Sequence, residues 1–96
     1  MYGPGGYVNE WKLAVMLANL EGKPIVVPPN KVCASACAIA VGFALHKGYN
    51  VRIAPSAKFI PHNLEAIKQT PMSGEFKRLM LRYEPFTGSQ VQTNFQ

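Results

Sequence analysis

Two residues in this sequence are best placed for chemistry, Ser35 and His62, and two cysteines, Cys33 and Cys37, flank the serine. Ser35 stands between Ala34 and Ala36, where an extended segment runs into an apolar helix. A nucleophile on a sharp strand-to-helix turn needs small neighbours, because bulky ones block both the turn and the substrate. The same place is the positive end of a helix, whose first N–H groups have no partner within the helix. Such groups can stabilise the oxyanion that forms during acyl transfer. His62 comes after two short extended runs, just past the end of the second. Functional side chains gather at strand ends in parallel α/β sheets, and a histidine within reach of Ser35 can act as its general base. Two plainer readings stand beside this one. A serine before a helix is commonly an N-cap, and a lone histidine is commonly a surface or core residue.

Cys33 and Cys37 read as small apolar packing groups around the turn. A thiol nucleophile paired with His62 stays open. Whether the two cysteines join depends on Cα separation and bond vectors, which a sequence does not carry. Two cysteines are too few for a disulfide framework, and without a second Cys/His pair they do not make a zinc site. No metal and no cofactor are expected.

The elements that must position these residues follow from periodicity. Gly3-Pro4-Gly5-Gly6 is a turn that neither a helix nor a central strand accepts. Val8, Trp11, Val15 and Ala18, with Leu17 and Leu20, then recur at helical spacing and give a helix with a broad apolar face, with Asn9 as a cap and Gly22 as its stop. Pro24 to Val27 reads as a buried strand, broken by Pro28-Pro29-Asn30. Ala36 to Leu45 is almost wholly apolar, the pattern of a buried helix, and Gly48 ends it. Val51 to Ile53 and Lys58 to Ile60 read as strands around an Ala54-Pro55-Ser56 turn. Leu64 to Pro71 has a weak pattern and reads as a loop or arm. A second amphipathic helix over about 73–84 carries Phe76, Leu79, Met80 and Tyr83 and is stopped by Pro85, and the tail over 87–96 is polar, with room for one helical turn. Trp11, Phe43, Phe59, Phe76 and Phe86 read as core or interface anchors. This order of elements is α/β.

The chain has 96 residues, and its 48% hydrophobic content is that of a globular protein rather than a disordered one. Chains of this size bury roughly 60–65% of the surface they expose when unfolded, so a single small domain over 1–96 gains from completing its core against neighbours. The net charge of +5 comes from ten Lys and Arg against five Glu, with no Asp. These cations are scattered. Only Lys77, Arg78 and Arg82 cluster, and they read as a solvated helix face, so nucleic acid is not an expected partner. No apolar run reaches the ~18 residues of a membrane span, and the first residues lack the basic and apolar regions of a signal peptide. A cytoplasmic location is expected, with export as the alternative. The start within a Gly/Pro turn reads as a fragment or a short family member.

Taken together, these motifs resemble the Clp-protease proteolytic subunit. Gly3-Pro4-Gly5-Gly6-Tyr7-Val8 is similar to that family's S-P-G-G-x-V turn, with Gly3 in place of serine. Cys33-Ala34-Ser35-Ala36-Cys37 is similar to its nucleophile turn, in a form that also resembles a branch with members predicted to be exported. Arg52-Ile53-Ala54-Pro55-Ser56-Ala57-Lys58-Phe59-Ile60-Pro61-His62 is similar to the stretch that leads to its histidine. The likeness covers about residues 3–63 and continues more weakly to Thr87-Gly88. It implies a partial Clp-protease/crotonase-like fold of repeated β-β-α units and a serine endopeptidase activity. Ser35 would be the nucleophile, His62 the base, and the N–H groups of Gly5 and Ala36 the oxyanion hole. It further implies unfolded peptides as substrates, a homo-oligomeric ring and an ATPase unfoldase partner.

The pattern departs from the family at three points. The strand before the first turn is missing, Pro61 precedes the histidine, and the acid that orients the histidine has no Asp to supply it. Glu84 or Asn94, and beyond them Glu75 or Glu65, are the substitutes, unless Ser35 and His62 act as a dyad. Losing a triad acid lowers turnover by about 10⁴. Two rivals follow: a catalytically degenerate Clp-like subunit that binds partners, and an acyl-CoA-binding crotonase relative.

Overall fold

The computed structural model describes residues 1–91. Helix α1 runs over Val8–Leu20, strand β1 over Ile25–Val27, β2 over Val32–Ala34 and helix α2 over Ala36–His46. Strands β3 (Val51–Ile53) and β4 (Lys58–Ile60) follow, then α3 (Leu64–Gln69), α4 (Gly74–Leu81), β5 (Phe86–Thr87) and a 3₁₀ turn over Gly88–Gln90. The architecture is a small α/β arrangement of four helices and two short mixed-order sheets. β1 pairs with β3 in parallel, and β2 pairs with β4 in parallel, with β5 antiparallel on the far side of β4.

Helix α2 is the hub. Every residue from Ala36 to Ala44 is buried, as a helix without a polar face must be. Its small residues let other elements approach closely. A methyl group built on Gly42 would lie 2.7 Å from the Phe76 ring and 2.9 Å from the Met72 sulfur, so glycine is what lets α4 and its lead-in pack there. Below α2, Phe59 stacks on Phe86 with centroids 5.1 Å apart, and Phe76 meets both rings edge-on at 5.3 Å. Offset and edge-to-face contacts of this kind add to the area that aromatic rings bury.

Four expectations are corrected here. Leu64–Gln69 is a helix, because the Asn63 side chain accepts from the Ala66 N–H at 3.2 Å and caps it. Phe86–Thr87 is a strand, since its backbone completes the edge of β4. Helix α1 starts at Val8 after Tyr7, so Asn9 lies inside it and caps nothing. The apolar face of α1 is narrower than expected: Val15 is buried and Val8, Trp11 and Ala18 pack against the core, whereas Leu17 and Leu20, with Leu13 beside them, are 54%, 82% and 65% exposed. The Lys77, Arg78 and Arg82 cluster is taken up locally. Arg78 pairs with Glu75 and Arg82 with Glu84, and the Lys77 ammonium donates to the Lys68 and Thr70 carbonyls at the end of α3. Among the described residues no helix is long and apolar enough to cross a membrane.

Candidate functional site

Ser35 is the single residue between β2 and α2, and its backbone is strained. Its φ of 53° and ψ of −117° lie outside the left-handed helical well that a non-glycine residue with positive φ usually occupies. Such a conformation costs on the order of 1–3 kcal/mol and persists only where its surroundings over-determine it. Three contacts do so. The Ser35 N–H donates to the Ile60 carbonyl at 2.8 Å, the Ser35 carbonyl accepts from the Ile39 N–H at 3.0 Å, and a disulfide joins Cys33 to Cys37.

The disulfide corrects the packing-group reading of the cysteines. A sharp turn at Ser35 folds the start of α2 back over β2, which brings the two Cα atoms to 5.2 Å, within the range a disulfide spans. Both residues are fully buried. Neither sulfur is a free thiol, so a cysteine nucleophile is withdrawn.

The Ser35 side chain does not cap α2. The N-cap reading is therefore set aside, and among the described residues the first-turn N–H groups, that of Ala36 included, have no side-chain acceptor. Facing Ser35 is the Gly/Pro turn. It is held to β2 as a rudimentary extra strand, by the Gly3 N–H on the Val32 carbonyl and the Ala34 N–H on the Gly3 carbonyl, both 2.9 Å. A methyl group on Gly5 would lie 3.1 Å from the Ser35 Cβ and 3.5 Å from its Oγ, at a φ of +129° that side chains rarely adopt. Only glycine brings the backbone this close to the serine. Along the outer side of the turn runs an open depression of about 360 Å³, lined by Gly5, Gly6, Tyr7, Glu10, Trp11 and Ala14.

His62 approaches from the neighbouring strand. Because β2 and β4 are parallel, with Ala34 opposite Ile60, both strands end on the same side of the sheet. Ser35 follows the first and His62 lies two residues beyond the second, so topology gathers both at one carboxyl edge. Among the described residues no hydrogen bond joins the His62 imidazole to Ser35 Oγ or to a carboxylate. What His62 does meet is Tyr83, whose ring lies nearly parallel to it at 10°, with centroids 6.2 Å apart. Tyr83 was expected on the apolar face of the second amphipathic helix. It lies beyond α4 at a φ of 59°, an unusual conformation for a bulky residue, and turns toward the histidine.

Of the orienting residues proposed from sequence, Glu84 is exposed and pairs with Arg82 at 3.3 Å, Glu75 pairs with Arg78, and Glu65 sits in the first turn of α3. Asn94 lies outside the described residues. Among the described residues there is no cluster of His, Cys, Asp or Glu able to hold a metal. Comparison with protein-family models, with curated proteins and with solved structures gives no match.

Removing the disulfide tests the clamp on Ser35. By loop-closure entropy a ring this small contributes about 2 kcal/mol. In a Cys33→Ala/Cys37→Ala variant the thermal midpoint is expected to fall by roughly 10 °C, at 4–8 °C per kcal/mol for a chain of this size. An unchanged midpoint in calorimetry would show that the cross-link does not hold the turn.

Proposed function

We propose that this chain is a serine-type endopeptidase subunit of the Clp-protease kind, with a partial crotonase-like fold. The observation that carries the reading is Ser35: a strained residue at a strand-to-helix junction, its hydroxyl not spent on the helix cap, with Gly5 pressed against it. Strain of this type is a feature of nucleophile turns, and the inference runs from the strain to the function. In the reaction, His62 takes the Ser35 proton as Oγ attacks the peptide carbonyl. The N–H groups of Ala36 and Gly5 receive the negative charge that develops on the carbonyl oxygen. His62 then returns the proton to the leaving amine, and water hydrolyses the acyl-enzyme by the same steps. Among the described residues no carboxylate bonds the imidazole, and the Tyr83 ring lies nearly parallel to it.

Substrates are extended peptides, as the resemblance to the Clp-protease subunit implies. Ring assembly and an ATPase unfoldase belong to the same proposal. Support for assembly comes from Leu13, Leu17 and Leu20 on the open face of α1, an apolar surface of the kind that marks interfaces. The buried disulfide favours an oxidising compartment, and so the exported alternative over the cytoplasm.

A second reading has its own observation. With neither Ser35 Oγ nor a carboxylate bonded to His62 among the described residues, a degenerate subunit that only binds partners is the rival. Hydrolysis of a fluorogenic peptide separates the two. The expected result is turnover that is lost in Ser35→Ala and falls roughly 10²–10⁴-fold in His62→Ala. Folded wild-type protein that cleaves nothing, with both variants behaving identically, favours the rival. Sedimentation at rising concentration addresses assembly. Species larger than a monomer are expected, lost in a Leu13→Lys/Leu17→Lys variant, and a strictly monomeric wild type contradicts that part.

A further inference from the structure

Trp11 stands on α1, one helix away from the strand-to-helix turn, yet its indole is tied to the segment that faces Ser35. Its Nε1–H donates to the Gly5 carbonyl at 2.8 Å in a partly buried position. The ring also underlies the glycines on either side: methyl groups on Gly3 and Gly6 would each lie 3.4 Å from indole atoms. Gly5, between them, presents its open side to Ser35 instead. The turn is therefore held on one face by the indole and meets the serine with the other. Val8, the first residue of α1, follows this turn after only Tyr7, so the helix carries Trp11 back beneath the glycines within one turn of its start.

We propose that Trp11 is a positioning residue for the Gly5–Gly6 turn, and through it for acyl transfer at Ser35. This rests on the reading of Ser35 as a nucleophile. The physical step is short. Glycine is the most permissive of residues, so four residues of Gly-Pro-Gly-Gly do not keep one orientation unaided. A peptide unit is planar, with its carbonyl and N–H on opposite sides. Fixing the Gly5 oxygen on the indole therefore fixes the Gly6 N–H to point away from α1, and it restricts the rotation of Gly5 itself. Neither the Gly5 nor the Gly6 N–H has a backbone acceptor among the described residues. The Gly5 N–H thus remains available to a developing oxyanion, whose stabilisation depends on donors already in place. A phenyl ring could also fill the space under Gly3 and Gly6, but it lacks the N–H donor that the indole supplies.

The test compares the whole wild-type chain with Trp11→Phe, which keeps a ring under the glycines and removes the donor. In peptide-ester hydrolysis, kcat is expected to fall about tenfold at unchanged KM, less than the roughly 10²–10³-fold loss seen when an oxyanion donor is removed outright. In nitrogen–proton spectra the Gly5 and Gly6 amides are expected to shift while those of β4 and α4 stay in place. In the wild type the indole N–H should exchange slowly with solvent. An unchanged kcat, or a rise in KM alone, overturns the positioning role. So does a rapidly exchanging indole in the wild type, which decides the matter even if the variant fails to fold. If the wild type hydrolyses no ester and takes no phosphonate, the reading of Ser35 falls. Amide shifts confined to the turn would then still establish that Trp11 fixes it.

Discussion

The backbone of Ser35 is the constraint on which the rest of the arrangement depends. A non-glycine residue with φ near 53° and ψ near −117° relaxes unless its neighbours forbid it. Here the neighbours come from three directions. β4 supplies the Ile60 carbonyl, α2 supplies the Ile39 N–H, and the Cys33–Cys37 disulfide closes the turn across its base. Each of these is in turn fixed by burial. Phe59 anchors β4 in the aromatic cluster, and α2 is enclosed from Ala36 to Ala44. The core can be read as a device that keeps one serine in a conformation it would otherwise leave.

The same constraint organises the surroundings of the serine. A sharp turn folds the start of α2 back over β2 and leaves its first N–H groups beside Ser35, with no side-chain cap among the described residues. It leaves space that only a glycine backbone fills, which Gly5 does. Because β2 and β4 run parallel, His62 leaves the sheet at the same edge. Ser35 and His62 thus follow separate strands that parallel pairing brings to one edge of the sheet.

Much of this was legible in the sequence, and the reasons differ by element. The strands at Val51–Ile53 and Lys58–Ile60 stood out because β-branched and aromatic residues were bounded by Pro and Gly. Helix α2 stood out because nothing in it is polar. Ala34 and Ala36 marked the turn at Ser35 by being small. The disulfide was not legible, since it depends on how far the turn folds back. Nor was α3, whose six residues are too few for a periodic signal and whose cap is a single asparagine. β5 is two residues long and exists only because β4 offers an edge. Trp11 reads as a hydrophobic anchor and Tyr83 as part of a helix face, because a sequence shows a ring and not what the ring touches. The exposed face of α1 follows the same logic: periodicity reports an apolar stripe but not what covers it.

The account turns on whether Ser35 is a nucleophile, and a fluorophosphonate reads this without knowledge of the substrate. Intact-mass analysis of the treated chain, followed by peptide mapping, gives both the stoichiometry and the position of the adduct. The account predicts one adduct per chain, on Ser35, absent from Ser35→Ala and formed far more slowly in His62→Ala. A chain that is folded by circular dichroism and takes no adduct, or takes it on another residue, would contradict it.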